Sequence, residues 1–206
     1  MNHPVLGFLG AGNMATALVG GLLARGWPAD RLWLSDAHPA QLQPHAERGL
    51  RTTTDNRELA ARADVLVLAV KPQVMAGVLK PLADLVQQRR PLIVSIAAGI
   101  PADSLERWLG GSLPVVRAMP NTPALVQTGA TGLFANPRVS EAQRALAEQV
   151  LGAVGLTLWV EREDLIDAVT AVSGSGPAYF FYVMEAMIAA GVKLGLDERE
   201  IGRAHV

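Results

Sequence analysis

The stretch that most limits what this chain can become is "PVLGFLGAGNMATALVGGLLARG", near its start. An apolar run over residues 4–9 has the character of a buried strand. It breaks at Gly10, Ala11 and Gly12, after which small and apolar residues recur at helical spacing through Met14, Leu18, Gly21 and Leu22. Strand, glycine turn and helix therefore follow one another with no spacer. Glycine in such a turn lets backbone N–H groups approach an anion with no Cβ in the way, and the positive end of the helix favours negative charge. The spacing is G-x-G-x-x-A: Gly10 for the tight turn, Gly12 for close approach to a pyrophosphate, and Ala15 where helix packs on strand. Glycine-rich turns also serve packing alone, so the context decides. A second apolar strand, "RLWLSD", ends about 20 residues past the motif, where a ribose-binding residue is expected, and the stretch reads as a dinucleotide site.

The rest of the chain keeps the same rhythm. "AQLQPHAERGL" reads as a short helix and turn, "RTTT" as a brief strand and "NRELAARA" as another short helix. "DVLVLAVKP", "PLIVSIAAG" and "PVVRAM" are continuously apolar, as strands buried on both faces must be. Between them "QVMAGVLKPLADLVQQ" reads as one helix and "ADSLERWLG" as another. "PNTPALVQTGATGLFAN" breaks the rhythm and reads as loop plus strand; a helix over 140–152 with Ser140 as N-cap and a strand "LTLWV" follow. From Glu163 the pattern is helical only, "EDLIDAVTAV" leading through "SGSG" into "PAYFFYVMEAMIAAGVKLG", with Pro177 at a first helical position and Gly195 as a stop. The fold class is α/β: an N-terminal Rossmann-type doubly wound parallel sheet over residues 1–161, then the start of an all-helical C-terminal domain over 162–206.

With 206 residues, half of them hydrophobic, the chain can bury a full core. A net charge of −1 without a basic stripe or charge cluster gives no footprint for nucleic acid or an anionic membrane, so a small-molecule substrate is expected. The absence of cysteine excludes disulfides, thiolate nucleophiles and zinc–cysteine sites. The longest apolar run is interrupted by Glu185, and nothing at the start resembles a signal peptide, so a cytoplasmic protein is expected. His3, His38, His45 and His205 share no metal-ligand spacing, and no metal is expected.

In α/β sheets ligands bind beyond the carboxyl ends of the strands, which makes the residues where each apolar run stops the informative ones. They are residues 10–15, Ser35 and Asp36, residues 69–72, 95–99 and 119–123, mostly small and suited to a backbone-lined groove for a flat cofactor; the alternative is that they are the turns any such fold needs. Lys71 ends a buried strand and points to that edge, where it could balance phosphate or carboxylate charge, or simply be a surface lysine. The "SGSG" helix start offers free N–H groups and two hydroxyls to a carboxylate or a cofactor amide; alternatively Ser175 or Gly176 is only an N-cap. Tyr179, Phe180, Phe181 and Tyr182 read as helix-packing core, and Asp164 and Asp167 as decoration of an exposed helix face.

Taken together, "GFLGAGNMA", "AVKPQ", "VSIAAGI", "VVRAMPNTPA" and "AVTAVSGSGPAYFF" resemble the pyrroline-5-carboxylate reductase family over essentially the whole chain. The resemblance implies reduction of the cyclic imine 1-pyrroline-5-carboxylate to L-proline by NADPH or NADH, in a nucleotide domain followed by a helical domain that forms dimer-based homo-oligomers. It implies that Gly10, Ala11, Gly12, Asn13, Met14 and Ala15 meet the phosphates and Asn56 the adenosine side. Ala69, Val70, Lys71 and Pro72, with Ala97 and Ala98, would line the nicotinamide pocket. Met119, Pro120, Asn121 and Thr122, with Ser173, Gly174, Ser175 and Gly176, would face the substrate, and Lys71 and Ser175 would carry the catalytic roles. Hydride transfer to an imine needs two flat reactants held in a dry slot and an anchor for a carboxylate, and needs neither nucleophile nor metal.

A different reductase of the same two-domain build, such as a β-hydroxyacid dehydrogenase or an NADP-linked cofactor reductase, would be expected to carry a catalytic lysine on the first long helix of its helical domain; here that helix has Glu185 and no lysine before Lys193, which argues against the hydroxyacid class. A non-catalytic dinucleotide sensor is the alternative from another class. Asp36 suits the ribose of NADH, and no arginine in "DAHPAQ" awaits the 2′-phosphate of NADPH, only His38, so both cofactors are expected to be accepted. The resemblance further implies helices and an "SPGGTT"-like motif after "KLGLDERE", whereas this chain stops at "IGRAHV". The expectation is a C-terminally truncated chain that binds NAD(P)H, turns over poorly alone and associates through the apolar face of its last long helix.

Overall fold

The computed structural model describes residues 3–203. One eight-stranded sheet organises them, in the order β3-β2-β1-β4-β5-β6-β7-β8. Its first half comprises β1 (Leu6–Leu9), β2 (Leu32–Ser35), β3 (Arg51–Thr53) and β4 (Val65–Leu68). β5 (Leu92–Ser95), β6 (Val115–Met119), β7 (Gly129–Ala135) and β8 (Gly155–Trp159) complete it. All pairings from β3 through to β6 are parallel. The continuously apolar strands at its centre, LGFL, VLVL and LIVS, are buried at every position, because helices cover both faces.

Alternation within each strand divides the core between those faces. Leu6, Phe8, Val65, Val67, Val94, Val116 and Ala118 point one way, into a layer with Leu18, Val19 and Leu22 of α1 (Asn13–Ala24) and Val150 and Leu151 of α7 (Glu141–Leu151). Leu9, Leu66, Leu68, Ile93 and Val115 point the other way, onto α3 (Asn56–Ala60), α4 (Pro72–Leu79), α5 (Ala83–Arg89) and α6 (Ala102–Trp108). Ser140 caps α7 in full, accepting from the Gln143 N–H while Gln143 accepts from the Ser140 N–H. Such a cap is worth about 1 kcal/mol.

Three departures from the sequence reading have local causes. The sheet is not parallel throughout: β7 runs antiparallel to β6, and β8 follows β7 in parallel. The 3-10 turn at Thr122–Val126 reverses the chain too soon for a crossover helix, so β7 returns beside β6. The expected single helix over 73–88 is two, α4 and α5, separated by the 3-10 turn Lys80–Leu82, since Pro81 has no N–H to continue the ladder. The helical part is also more continuous than "SGSG" suggests: α8 (Leu165–Val169) passes through a π turn at Thr170–Gly174 into α9 (Gly176–Lys193). A short α10 (Glu198–Arg203) follows, after Gly195 breaks the chain at φ +93°.

Among the described residues α9 finds little to pack on. Tyr179, Phe180, Phe181 and Tyr182, expected as core, are exposed, as are Val183 and Met187. Among the described residues no helix is long and apolar enough to cross a membrane.

Candidate functional site

The carboxyl ends of β1, β4, β5 and β6 lie on one edge of the sheet, and the glycine turn sits at its middle. Gly10 has φ +102°, and a Cβ there would stand 2.8 Å from the Ala69 carbonyl oxygen, so only glycine lets the β1 and β4 ends close together. Its N–H donates to the Ser35 carbonyl at 2.8 Å, tying β1 to β2. Gly12 differs: its φ is −74° and a Cβ would meet nothing within 4 Å. The space beside Gly12 thus opens onto the groove, and α1 begins there with no side-chain cap and no acidic residue in its first turn. Asn13 is exposed, Met14 half-buried and Ala15 buried against the sheet. This is an uncapped three-turn helix whose positive end faces open space, which fits the pyrophosphate of a dinucleotide.

The end of β2 is more tightly organised than its sequence suggests. The Ser35 side chain is fully buried, and its hydroxyl has no hydrogen-bond partner among the described residues. One Asp36 oxygen accepts the Ala11 N–H at 3.0 Å; the other accepts the His38 N–H at 2.9 Å and lies 3.1 Å from His38 Nδ1. Burial raises the Asp36 pKa, but the Ala11 and His38 N–H groups and the His38 ring outweigh it and hold the carboxyl below its ordinary value. Asp36 is thus a clamp on the glycine turn as well as a candidate ribose ligand. Under that turn lies His45 of α2 (Pro39–Glu47), buried, with Nε2 3.3 Å from Thr16 Oγ1. Burial, helped by the nearby Arg48, lowers its pKa against an opposing contribution from the Ala11 backbone. Asn56 opens α3, half-buried, directly after the Asp55 cap.

Across the groove, Ala69 and Val70 are half-buried at the end of β4. Lys71 follows, exposed, as the residue before α4, with Pro72 at its first position. Ala97 is buried and Ala98 exposed beyond β5. Met119 and Pro120 are buried at the end of β6, Asn121 is half-buried and Thr122 exposed.

The helical segment climbs β6 and meets it residue by residue. The Arg117 guanidinium, 4% exposed in the middle of the sheet, lies 3.0 Å from Glu163 and 3.5 Å from Asp167. Glu163 also accepts the Ala102 N–H at the start of α6. One turn higher, Gly132 of β7 admits Val169, whose Cγ1 would be 2.8 Å from a Cβ there, and Gly174 packs against Met119. At the top, Asn121 Nδ2 donates to Ser173 Oγ at 3.5 Å while Asn121 Oδ1 accepts the Ala130 N–H. The segment 173–176 therefore lies over the carboxyl end of β6. It does so without the free helix start read from "SGSG": the Ser175 N–H is spent on the Thr170 carbonyl at 2.9 Å, and the Ser175 side chain caps nothing. Gly176 is buried.

Sequence reasoning missed Arg117, Glu163, Thr16 and His45. A lone arginine inside "VVRAM" was the available signal, since a charge in a doubly covered strand requires a partner. Asp167, read as surface decoration, is that arginine's second partner; Asp164 pairs with exposed Arg162 as surface residues do. His205 lies outside the described residues. Among the described residues no cluster of His, Asp or Glu has the arrangement of a metal site.

An open glycine turn at the centre of a mostly parallel sheet, with a helical segment folded over the adjoining strand ends, defines a dinucleotide-dependent α/β protein. A family model described as NADP oxidoreductase, coenzyme F420-dependent, matches residues 5–99, and one described as pyrroline-5-carboxylate reductase dimerisation matches 163–204. The pyrroline-5-carboxylate reductase of Pseudomonas aeruginosa is 54% identical over 204 residues, covering 98% of this chain and 74% of its own length. That of Haemophilus influenzae is 45% identical over 199 residues, covering 97% and 73%. Among solved structures, the Coxiella burnetii pyrroline-5-carboxylate reductase superposes with a TM-score of 0.90 at 44% identity, over 97% of this chain and 74% of the other. The Plasmodium falciparum enzyme with NADP bound gives 0.86 at 29% identity, over 99% and 75%. The chain belongs to the pyrroline-5-carboxylate reductase family, whose members are NAD(P)-dependent oxidoreductases.

Proposed function

We propose that the groove along the carboxyl ends of β1, β4, β5 and β6 carries out the family's reaction, NAD(P)H-dependent reduction of 1-pyrroline-5-carboxylate to L-proline, the last step of proline biosynthesis. The observation that carries this placement is the Asn121–Ser173 contact, which brings residues 52 positions apart, from the sheet and from the helical segment, to the same end of β6. Bound NAD(P)H supplies the hydride. The N–H groups from Gly12 to Ala15 hold its pyrophosphate at the uncapped start of α1, and Asp36 and Asn56 serve its adenosine end. Ala69, Val70, Pro72, Ala97 and Ala98 form the apolar wall for its nicotinamide. Asn121, Thr122, Ser173, Ser175 and the backbone around Gly174 and Gly176 anchor the substrate carboxylate and orient the imine, and buried Met119 and Pro120 keep water from beneath it. Lys71, exposed and with no side-chain hydrogen bond or ion pair among the described residues, balances anionic charge at the mouth.

The division of labour follows residue 161: nucleotide domain before, helical dimerisation and substrate domain after. Its partner is a second copy of the chain, supported by the exposed apolar face of α9 and the dimerisation model over 163–204; no basic stripe invites nucleic acid, and the composition suits a cytoplasmic enzyme. The test is NAD(P)H oxidation on adding 1-pyrroline-5-carboxylate, with hydroxyacids as controls. Turnover lost in Asn121→Ala and in Ser175→Ala, with cofactor affinity kept, supports the placement; unchanged kcat and KM in both variants would remove this end of β6 from the reaction.

A further inference from the structure

Resting on that reading of the dinucleotide site, we infer that the Asp36–His38 couple selects between the two cofactors by pH, rejecting the 2′-phosphate of NADPH when His38 is neutral and receiving it when His38 is protonated. His38 stands immediately beyond β2, where the ribose hydroxyls or the 2′-phosphate are read, and its side chain is 82% exposed. Its Nδ1 is fixed at 3.1 Å from Asp36 Oδ1, and Asp36 is itself fixed by the Ala11 and His38 N–H groups. A carboxylate accepts only, so Nδ1 carries the proton. In the neutral ring Nε2 is then a bare acceptor, and the couple has a charge of −1. A phosphate brought to this corner meets a lone pair and a negative charge, both repulsive. Protonation reverses both at once: Nε2 becomes a cationic donor and the couple becomes neutral.

Few other groups share this corner. Thr53, the register partner of Ser35, donates to Glu58, and the Asp55 carboxylate is used in capping α3. The glycine turn facing the couple, residues 10–13, has no ionisable side chain. Arg51 lies at the far end of β3, paired with Trp33, and Arg48 of the α2 terminus stands nearer His45. His45 contacts Thr16 of α1, beneath the part of the site that both cofactors share, so its own titration affects NADH and NADPH alike and cancels in their ratio.

The experiment is direct binding of NADPH and NADH, by quenching of protein fluorescence or calorimetry, to the whole chain, to His38→Ala and to His38→Arg, from about pH 8 down to about pH 6, a range over which histidine side chains in general change charge while a phosphate monoester keeps much of its second charge. The ratio of the two dissociation constants should move toward NADPH about tenfold over this range in the unaltered chain, the size of one charge-assisted hydrogen bond gained. It should be nearly flat in His38→Ala, and flat but fixed in favour of NADPH in His38→Arg, whose cation does not titrate. A ratio indifferent to pH, moving toward NADH in acid, or as pH-dependent in His38→Ala as in the unaltered chain, would overturn the inference while leaving the dinucleotide site intact. Failure of either cofactor to bind at any pH would overturn the reading beneath it, and the inference with it.

Discussion

The two glycines of the first turn look alike in sequence and do different work. Gly10 is held by the fold: its positive φ and its approach to Ala69 exclude any side chain. Gly12 is free of both constraints and has open space beside it, which on the proposed reading takes the pyrophosphate. Gly12→Val is therefore expected to fold with a melting temperature close to that of the unaltered chain and to lose at least about 100-fold in NAD(P)H affinity, the order of one obstructed phosphate contact set. Thermal unfolding and cofactor titration on the same sample check both halves; retained affinity would place the phosphates elsewhere. His45 supplies a pH prediction. Its folded pKa lies below the unfolded value near 6.5, so its contribution to stability is complete above about pH 6.5 and is lost as pH falls through the folded value, where the unfolded chain binds the proton first. His45→Gln should flatten the fall in melting temperature between about pH 7 and about pH 5.

At the scale of elements, the apolar runs made every strand and most helices legible, the central strands most plainly, because a strand buried on both faces has no choice of composition. What stayed hidden depended on partners distant in sequence. Nothing local in "TGATGLFA" says that β7 turns back beside β6 instead of crossing over, and nothing in "VTAVSGSG" announces a π turn in place of a fresh helix start. The site was legible in the same uneven way: the glycine turn and strand ends could be named from residue types, whereas the second role of Asp36 and the whole Arg117–Glu163–Asp167 cluster required the fold. That cluster sets where the helical segment sits on β6, and so where Ser173 meets Asn121. Arg117→Ala leaves Glu163 and Asp167 without their cation. The cost should be about 3 kcal/mol, toward the low end for a broken buried pair because both carboxylates keep access to water. With the segment loosened above Met119, KM for 1-pyrroline-5-carboxylate should rise while NADH affinity holds. Equal loss in both would mean that Arg117 supports the sheet as a whole and not the substrate end.

For the whole molecule, the contrast between its two parts is the governing fact. The sheet and its helices close over their core, whereas α9 leaves Phe180, Val183 and Met187, spaced as one helical stripe, 73%, 54% and 52% exposed. Leu156 and Leu158 on β8 add a second apolar patch, 78% and 71% exposed. A monomer in water rarely keeps so much contiguous apolar surface, and a two-fold pairing of one helix with its own copy covers a stripe of this kind with a self-complementary contact. The dimerisation model over 163–204 coincides with that stripe. Dimerisation through α9 should therefore be disrupted by Phe180→Glu combined with Met187→Glu, because pairing would then bring like charges together in a dry interface. Sedimentation at rising protein concentration should show the unaltered chain associating and the double variant remaining at the mass of one chain. Cofactor affinity should be the same in both, since the glycine turn draws its geometry from β1, β2 and β4 alone. Unchanged association in the double variant would assign the interface to another surface, with Leu156 and Leu158 the first to be replaced; loss of cofactor binding together with association would mean that the nucleotide domain does not hold its site without a partner.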